Sequence, residues 1–441
     1  MSGSRVAILG AGPAGLGAAS VLGDQDVVIY DERASWGGHL SSIQVDGFTF
    51  DEGPHVSFTR DERIRRLFAE SVQGEYRELS AGVLNYFRGT VFKHPGQCHL
   101  YPLPAEIKTA CLLDFIHARA EPERPIANYR DWCYRSFGRS FSEIFARRYT
   151  RKYWTRELEE LDTDWIGDRI HAPTLEQVVE GALTESPHNY HYVTTIRYPL
   201  RGGFVAFLRA LAQGKDIRYG CEAVLVDPRR RTITFASGAV ADYEWLISSV
   251  PLPELIAAIP ASPPAVRDAA ARLRCTSHLL VEVGVRGESG QAGVWVYYYD
   301  DDVPFSRVSF PSRLSPYNAP DGCFSVQAEI VYGPGRPLAE PERAVEATLD
   351  SLIRVGVIRD RGDIVLSQAR LVEYANVIFD LDRRRAVATV QEYLSRQNIV
   401  TCGRYGEWSY LWSDQAIVSG EGAGRQILEA IAGAPGQAVS R

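Results

Sequence analysis

Three glycines and an acid carry the first chemical signal of this chain. Gly10, Gly12 and Gly15 stand in GxGxxG spacing directly after the apolar run Val6-Ala-Ile-Leu9, and a second apolar run, Val27-Val-Ile-Tyr30, ends at Asp31. A strand, a glycine turn, a helix and a second strand in that order form a βαβ unit that binds a dinucleotide. Gly10 permits the tight turn, Gly12 lets the backbone approach a pyrophosphate, and Gly15 lets the helix pack close to the strand. The helix opens at Pro13 and Ala14, so its N-terminus faces the phosphate charge. Asp31, 21 residues beyond Gly10 and followed by Glu32, is spaced to accept hydrogen bonds from ribose hydroxyls.

Further along, Gly37-Gly38-His39-Leu40 offers a glycine pair that allows close backbone approach to an extended cofactor. His55 sits in the loop Gly53-Pro54-His55, an imidazole whose charge can change near neutral pH. Tyr149 and Trp154 offer aromatic faces, and Arg169 and Arg307 offer guanidiniums. Arg307 has apolar neighbours on its strand and needs a partner, which an anionic substrate would provide. Near the C-terminus the segment Gly403-Arg404-Tyr-Gly406-Glu-Trp408-Ser-Tyr410-Leu-Trp412-Ser-Asp414-Gln415-Ala416 is a glycine turn followed by the opening of a helix.

These residues must be positioned by more than one domain, because 441 residues exceed a single compact core. Hydrophobic content of 45% and charged content of 23% are those of an ordinary soluble globular protein. A net charge of −7 gives no reason to expect nucleic acid or an anionic membrane as partner. The arginine triplets at 229–231 and 383–385 read as solvated turns or helix faces. Seven scattered cysteines without metal spacing, and no signal peptide, suggest a reducing cytoplasm with neither disulfides nor a bound metal. No apolar run approaches the roughly 20 residues that span a bilayer.

The pattern divides into a first cofactor-binding segment at 1–100, a helical insert at 101–195 and a second cofactor-binding segment at 196–274. A substrate-domain sheet follows at 275–395, and a C-terminal cofactor-binding segment at 396–441. Within this scheme the aromatics Trp132, Tyr134, Phe137, Phe141 and Phe145 belong mostly to a helical core. Phe204–Gln213 reads as one helix, Ile217–Val226 as one strand, and the tail from Gly433 to Arg441 as a frayed end.

The motifs resemble the flavoproteins that include monoamine oxidases, protoporphyrinogen oxidases and UDP-galactopyranose mutases. Asp46-Gly-Phe48-Thr-Phe50-Asp51-Glu52-Gly53-Pro54-His55-Val56 is similar to the DxGxxxDxGxHxF element of that group, with Pro54 in place of a second glycine. Tyr149-Thr-Arg-Lys152-Tyr-Trp154, then Leu161 and Asp168-Arg169-Ile170, resembles the YTxKxW…L…RI element of the mutases. Val303-Pro-Phe305-Ser-Arg307-Val resembles their VPYTRI strand, and the Gly403 segment their GRxGxYRYLDM end. Two departures stand out: Trp412 replaces an aspartate, and a second mutase tyrosine is replaced near Gln327.

The resemblance implies an α/β fold: a Rossmann-like (GR2-type) FAD-binding domain, an inserted helical domain and an antiparallel β-sheet substrate domain. It implies FAD held by Gly10, Gly12, Pro13, Ala14, Gly15, Asp31, Glu32, Gly37, Gly38, His39, Leu40, His55, Val224, Gly403, Arg404, Tyr410, Asp414, Gln415 and Ala416. His55, Arg307 and Arg404 are the implied catalytic positions. Tyr149, Trp154, Arg169, Tyr190, Arg307 and Tyr410 are the implied substrate contacts. Two reactions remain open. One is isomerisation of a nucleotide sugar by reduced flavin N5 without net redox change; the other is hydride transfer from a substrate C–H bond to the flavin. The partner is a small molecule in either case, and a homo-oligomer is open.

Overall fold

The computed structural model describes residues 5–122, 124–338 and 340–433, so the expected frayed tail beyond Gly433 lies outside the described residues. Val6, Ala7, Ile8 and Leu9 are buried because their strand, Arg5–Leu9, is central in a parallel sheet covered on both faces. That sheet has five strands in the order Ile399–Thr401, Trp245–Ser248, Arg5–Leu9, Asp26–Tyr30 and Ile217–Arg218. The helix Pro13–Val21 packs against the closing helix Ser413–Gly433. Glycines let their backbones touch: a Cβ on Gly420 would lie 1.8 Å from the Ala14 carbonyl oxygen, and one on Gly17 2.4 Å from that of Ile417.

A second sheet has seven strands in the order Ile364–Val377, Cys275–Arg286, Cys323–Tyr332, Arg307–Ser309, Trp295–Tyr298, Val83–Phe87 and Thr90–Lys93. It is mixed rather than wholly antiparallel, because Trp295–Tyr298 runs parallel to Val83–Phe87. Two of its strands thus come from the segment expected with the first cofactor-binding part. Its edge strand, Ile364–Val377, is absent from the sequence reading. The cause is legible in its burial: the half-buried positions Ile364, Leu366, Gln368 and Arg370 alternate with exposed Val365, Ser367, Ala369 and Leu371, so neither face is distinctly apolar.

Other expectations need correction. Ile217–Val226 is two strands, broken at Gly220, where φ is +65°. Ala223–Asp227 belongs to a separate three-stranded antiparallel sheet with Thr232–Phe235 and Val240–Asp242. The Phe204 segment opens as a 3-10 turn, Phe204–Leu208, before a short α-helix at Arg209–Ala212. Arg383 is half-buried rather than a freely solvated charge: its guanidinium donates to the Trp408 carbonyl and lies 4.0 Å from the Phe379 ring centre.

The region between the cofactor-binding segments is helical, with Ala105–Ala120, Tyr129–Phe137, Arg147–Tyr153 and Leu175–Leu183. Phe137, Phe141, Phe145, Trp154 and Trp165 are buried in its core. The architecture is therefore α/β, a Rossmann-like parallel sheet joined to helices and a mixed seven-stranded sheet. Among the described residues no helix is long and apolar enough to cross a membrane.

Candidate active site

A cavity of about 940 Å³ runs from the carboxyl ends of the parallel strands to the face of the seven-stranded sheet. At one end it is lined by Gly10, Gly12, Pro13, Ala14, Asp31, Glu32 and Val224. Gly10 holds φ at +100°, where a Cβ would stand 2.2 Å from the Ser249 hydroxyl oxygen. Gly12 and Gly38 face each other, with a Cβ on Gly38 only 3.1 Å from the Gly12 Cα. The two glycine turns therefore form a cradle that side chains would fill. Asp31 braces this cradle, accepting from Ala11 N–H at 2.6 Å and Arg33 N–H at 2.8 Å. A carboxylate has about four lone-pair sites, so both oxygens can accept a further bond. Burial and the neighbouring Asp31 charge raise the Glu32 carboxyl above its usual range.

Midway, the wall is Gly38, His39, Leu40, Glu52–Val56, Gly403, Arg404, Ser413 and Ala416. Burial opposes ionisation of Glu52, but His39 Nδ1 at 2.5 Å and the Arg33 guanidinium at 2.8 Å outweigh it and hold the carboxyl well below its usual range. His55 stacks on Phe204, 5.6 Å between ring centres, and its Nδ1 is buried without a partner. Burial, reinforced by the Arg404 charge, lowers its pKa to about 3, so the ring is neutral. The glycine cradle, the helix openings at Pro13 and Ser413 and the orphaned His55 nitrogen together fit a long, anionic, ring-bearing dinucleotide. Gly15, Gly37, Asp414 and Gln415 stand off the wall. Gly15 packs on the Gly10 carbonyl, Gly37 N–H closes the turn onto Ala11 O, and Gln415 Oε1 accepts from Trp412 N–H to cap its own helix.

The far end is polar and aromatic: Tyr153, Tyr192, His278, Trp295, Tyr297, Arg307, Glu329, Asn376, Tyr410 and Trp412. Arg307 already has its anion. Its Nε and Nη2 donate to the two oxygens of fully buried Glu329 at 2.7 and 2.8 Å, which corrects the expectation of a substrate partner. Arg169 and Arg404 differ, since among the described residues neither guanidinium pairs with a carboxylate. Arg169 donates to Trp165 O and Tyr410 O, and Arg404 to Leu411 O and Ala375 O. Both lie over the Tyr410 ring, at 4.8 and 5.0 Å. Trp412 stacks on Tyr192 at 5.5 Å and meets the edge of Phe58 at 4.8 Å.

Four expected substrate contacts are not on this wall. Arg169 stands behind it, with its guanidinium 4.4 Å from the ring centre of Trp412. Trp154 is buried against Trp165, and Tyr149 stacks on Tyr153 beneath the cavity. Tyr190 stacks on His171 in the helical region. Gln327 is buried and donates to Asp51 O and Glu282, away from the site. Sequence reasoning missed Glu329, His278, Asn376 and Tyr153. Tyr153 had a signal, lying four residues after Tyr149 on one helix. Glu329 becomes visible only once strand register places it opposite Arg307.

The NAD(P)-binding Rossmann-like domain family matches residues 8–71. A crystal structure of reduced UDP-galactopyranose mutase superposes with a TM-score of 0.91 at 25% identity, covering 97% of this chain and 96% of that one. The chain thus carries a Rossmann-like dinucleotide-binding domain and is similar over nearly its whole length to a UDP-galactopyranose mutase. The crystal structure of a putative protoporphyrinogen oxidase from Exiguobacterium sp. matches in fold at a TM-score of 0.74 and 15% identity, over 97% of this chain and 100% of that one. A 4,4'-diapophytoene desaturase from Staphylococcus aureus is 37% identical over 59 residues, 13% of this chain. The match spans only 12% of that curated relative's length.

Proposed function

We propose that this flavoprotein binds FAD and isomerises a nucleotide sugar in the manner of UDP-galactopyranose mutase. The observation that carries the reading is the near-complete superposition on that enzyme, at a TM-score of 0.91 over 97% of the chain. When bound and reduced, FAD supplies the nucleophile for a sugar isomerisation without net redox change.

The residues of this chain then position and charge-match the substrate. Gly10, Gly12 and Gly38 let the backbone approach the cofactor pyrophosphate, and Asp31 and Glu32 take the ribose. His55, neutral and with a free nitrogen, hydrogen-bonds at the ring system. Arg169 and Arg404 carry charge unspent on carboxylates and hold the diphosphate as it leaves. The seven free thiols fit a reducing cytoplasm. Incubating the FAD-loaded protein under dithionite with UDP- and dTDP-hexopyranoses, then separating the products, tests the reading. A ring isomer formed only under reduction supports it; no isomer from any nucleotide sugar overturns it.

A second reading, an oxidoreductase passing hydride from a substrate C–H to the flavin, has one observation in its favour. The far wall is largely aromatic, with Tyr153, Tyr192, Trp295, Tyr297 and Trp412, and its Arg307 is neutralised by Glu329. Bleaching of the oxidised flavin by amines would select it.

A further inference from the structure

At the far end of the cavity, five side chains form a line whose polarity can be read outward from one charge. Glu329 is fully buried and ion-paired to Arg307. Its Oε2 faces Nδ1 of His278 at 3.8 Å. On the other side of the imidazole, Nε2 lies 3.2 Å from Asn376 Nδ2. Asn376 Oδ1 accepts from the Tyr153 hydroxyl at 3.2 Å, and the Tyr153 and Tyr410 hydroxyls are 3.2 Å apart.

An amide nitrogen only donates, so His278 Nε2 must accept, and the ring proton belongs on Nδ1, toward the Glu329 carboxylate. The opposite tautomer would aim a lone pair at that charge and would require the Asn376 amide to turn over. Burial lowers the His278 pKa to about 4, which keeps the ring neutral and the assignment single. Tyr153, held protonated by burial, spends its one proton on Asn376. Tyr410 therefore donates to the Tyr153 oxygen and is left with lone pairs toward the cavity.

We infer that Glu329, His278, Asn376 and Tyr153 form an orienting relay that makes Tyr410 a hydrogen-bond acceptor, so this subsite takes a hydroxyl of the substrate's sugar rather than a phosphate oxygen. His278 and Asn376 are positioning residues acting through the two tyrosines. The assignment of a sugar hydroxyl rests on the nucleotide-sugar reading above, with Arg169 and Arg404 left to carry the phosphates.

Two measurements decide it. The first is nitrogen-15 NMR of ring-labelled, FAD-loaded protein at pH 7.5, with His278 assigned by its loss in His278→Gln. A protonated Nδ1 and a bare Nε2 are expected; a protonated Nε2 or a doubly protonated ring overturns the relay. The second compares affinities of the reduced holoenzyme for UDP and UDP-galactopyranose in Tyr410→Phe and Asn376→Leu. The expected result is about a tenfold loss for the nucleotide sugar, the scale of one lost hydrogen bond, with UDP unchanged within about twofold. An equal loss for UDP would place Tyr410 on a phosphate and overturn the inference. If the wild type binds neither ligand, the nucleotide-sugar reading falls and the sugar-hydroxyl assignment falls with it, while the NMR result still decides the relay.

Discussion

The two ends of the cavity are built from different materials. The dinucleotide end is made of backbone: glycine turns, two helix openings and a carboxylate that braces N–H groups. The far end is made of side chains that only strand register and long-range packing bring together: Arg307 meets Glu329, 22 residues on, and Tyr153 meets Tyr410, 257 residues on. Backbone sites tolerate almost no change of residue type and so write short motifs into the sequence. Side-chain sites depend on register and packing, and their members can be spread anywhere that the fold brings together.

The largest contrast should come from breaking the buried ion pair. Glu329→Leu should cost about 3–5 kcal/mol of stability by leaving the Arg307 charge unpaired. The double variant Arg307→Met/Glu329→Leu should regain most of it. Chemical denaturation of both proteins measures this, and equal losses in single and double variants would mean the pair is not what holds that wall.

At the other end, Gly10→Val forces a side chain into the Ser249 hydroxyl at a φ of +100°. The strain, about 1–3 kcal/mol, should appear chiefly as weaker cofactor binding. Free FAD fluorescence after gel filtration reads it; retention of wild-type flavin content would show the cradle is not the binding element.

Acid should weaken the middle of the cavity and its far end together. Burial, aided by Arg404, holds His55 at about 3, and burial holds His278 at about 4, against 6.5 for a free imidazole. Below pH 6.5 the unfolded chain takes up protons that the folded chain refuses, so stability falls as pH falls toward those values. From pH 6.5 to 5 each histidine contributes a loss of up to about 2 kcal/mol. Asp51, raised by burial to about 6, works in the opposite direction, because below that pH the folded form holds a proton the unfolded form releases. Thermal unfolding between pH 7.5 and 5 should show a falling midpoint that flattens in His278→Gln. The smallest effect is expected from Tyr149→Phe, which keeps the ring stack beneath the cavity. Ligand affinity should stay within about twofold, and a larger loss would return Tyr149 to the substrate wall.

This contrast also explains what the sequence disclosed. The βαβ unit, the Gly37-Gly38 turn and the closing helix at Ser413 were legible, because each is written in contiguous residues with fixed spacing. Gly420 was not, since its role exists only against Ala14 on another helix. The strand Ile364–Val377 escaped because Gln368 and Arg370 turn inward to meet Glu282, erasing the alternation that marks a strand. Arg307 was found, but its partner was misjudged, because nothing local shows that Glu329 lies opposite it.

The most direct test of the account is an anaerobic titration of the FAD-loaded protein with UDP-galactopyranose, following the flavin absorbance in its oxidised and reduced forms. The account expects a saturable change in the reduced flavin, reversed by UDP, with no net oxidation. A reduced flavin indifferent to the nucleotide sugar but rapidly reoxidised by air would contradict it.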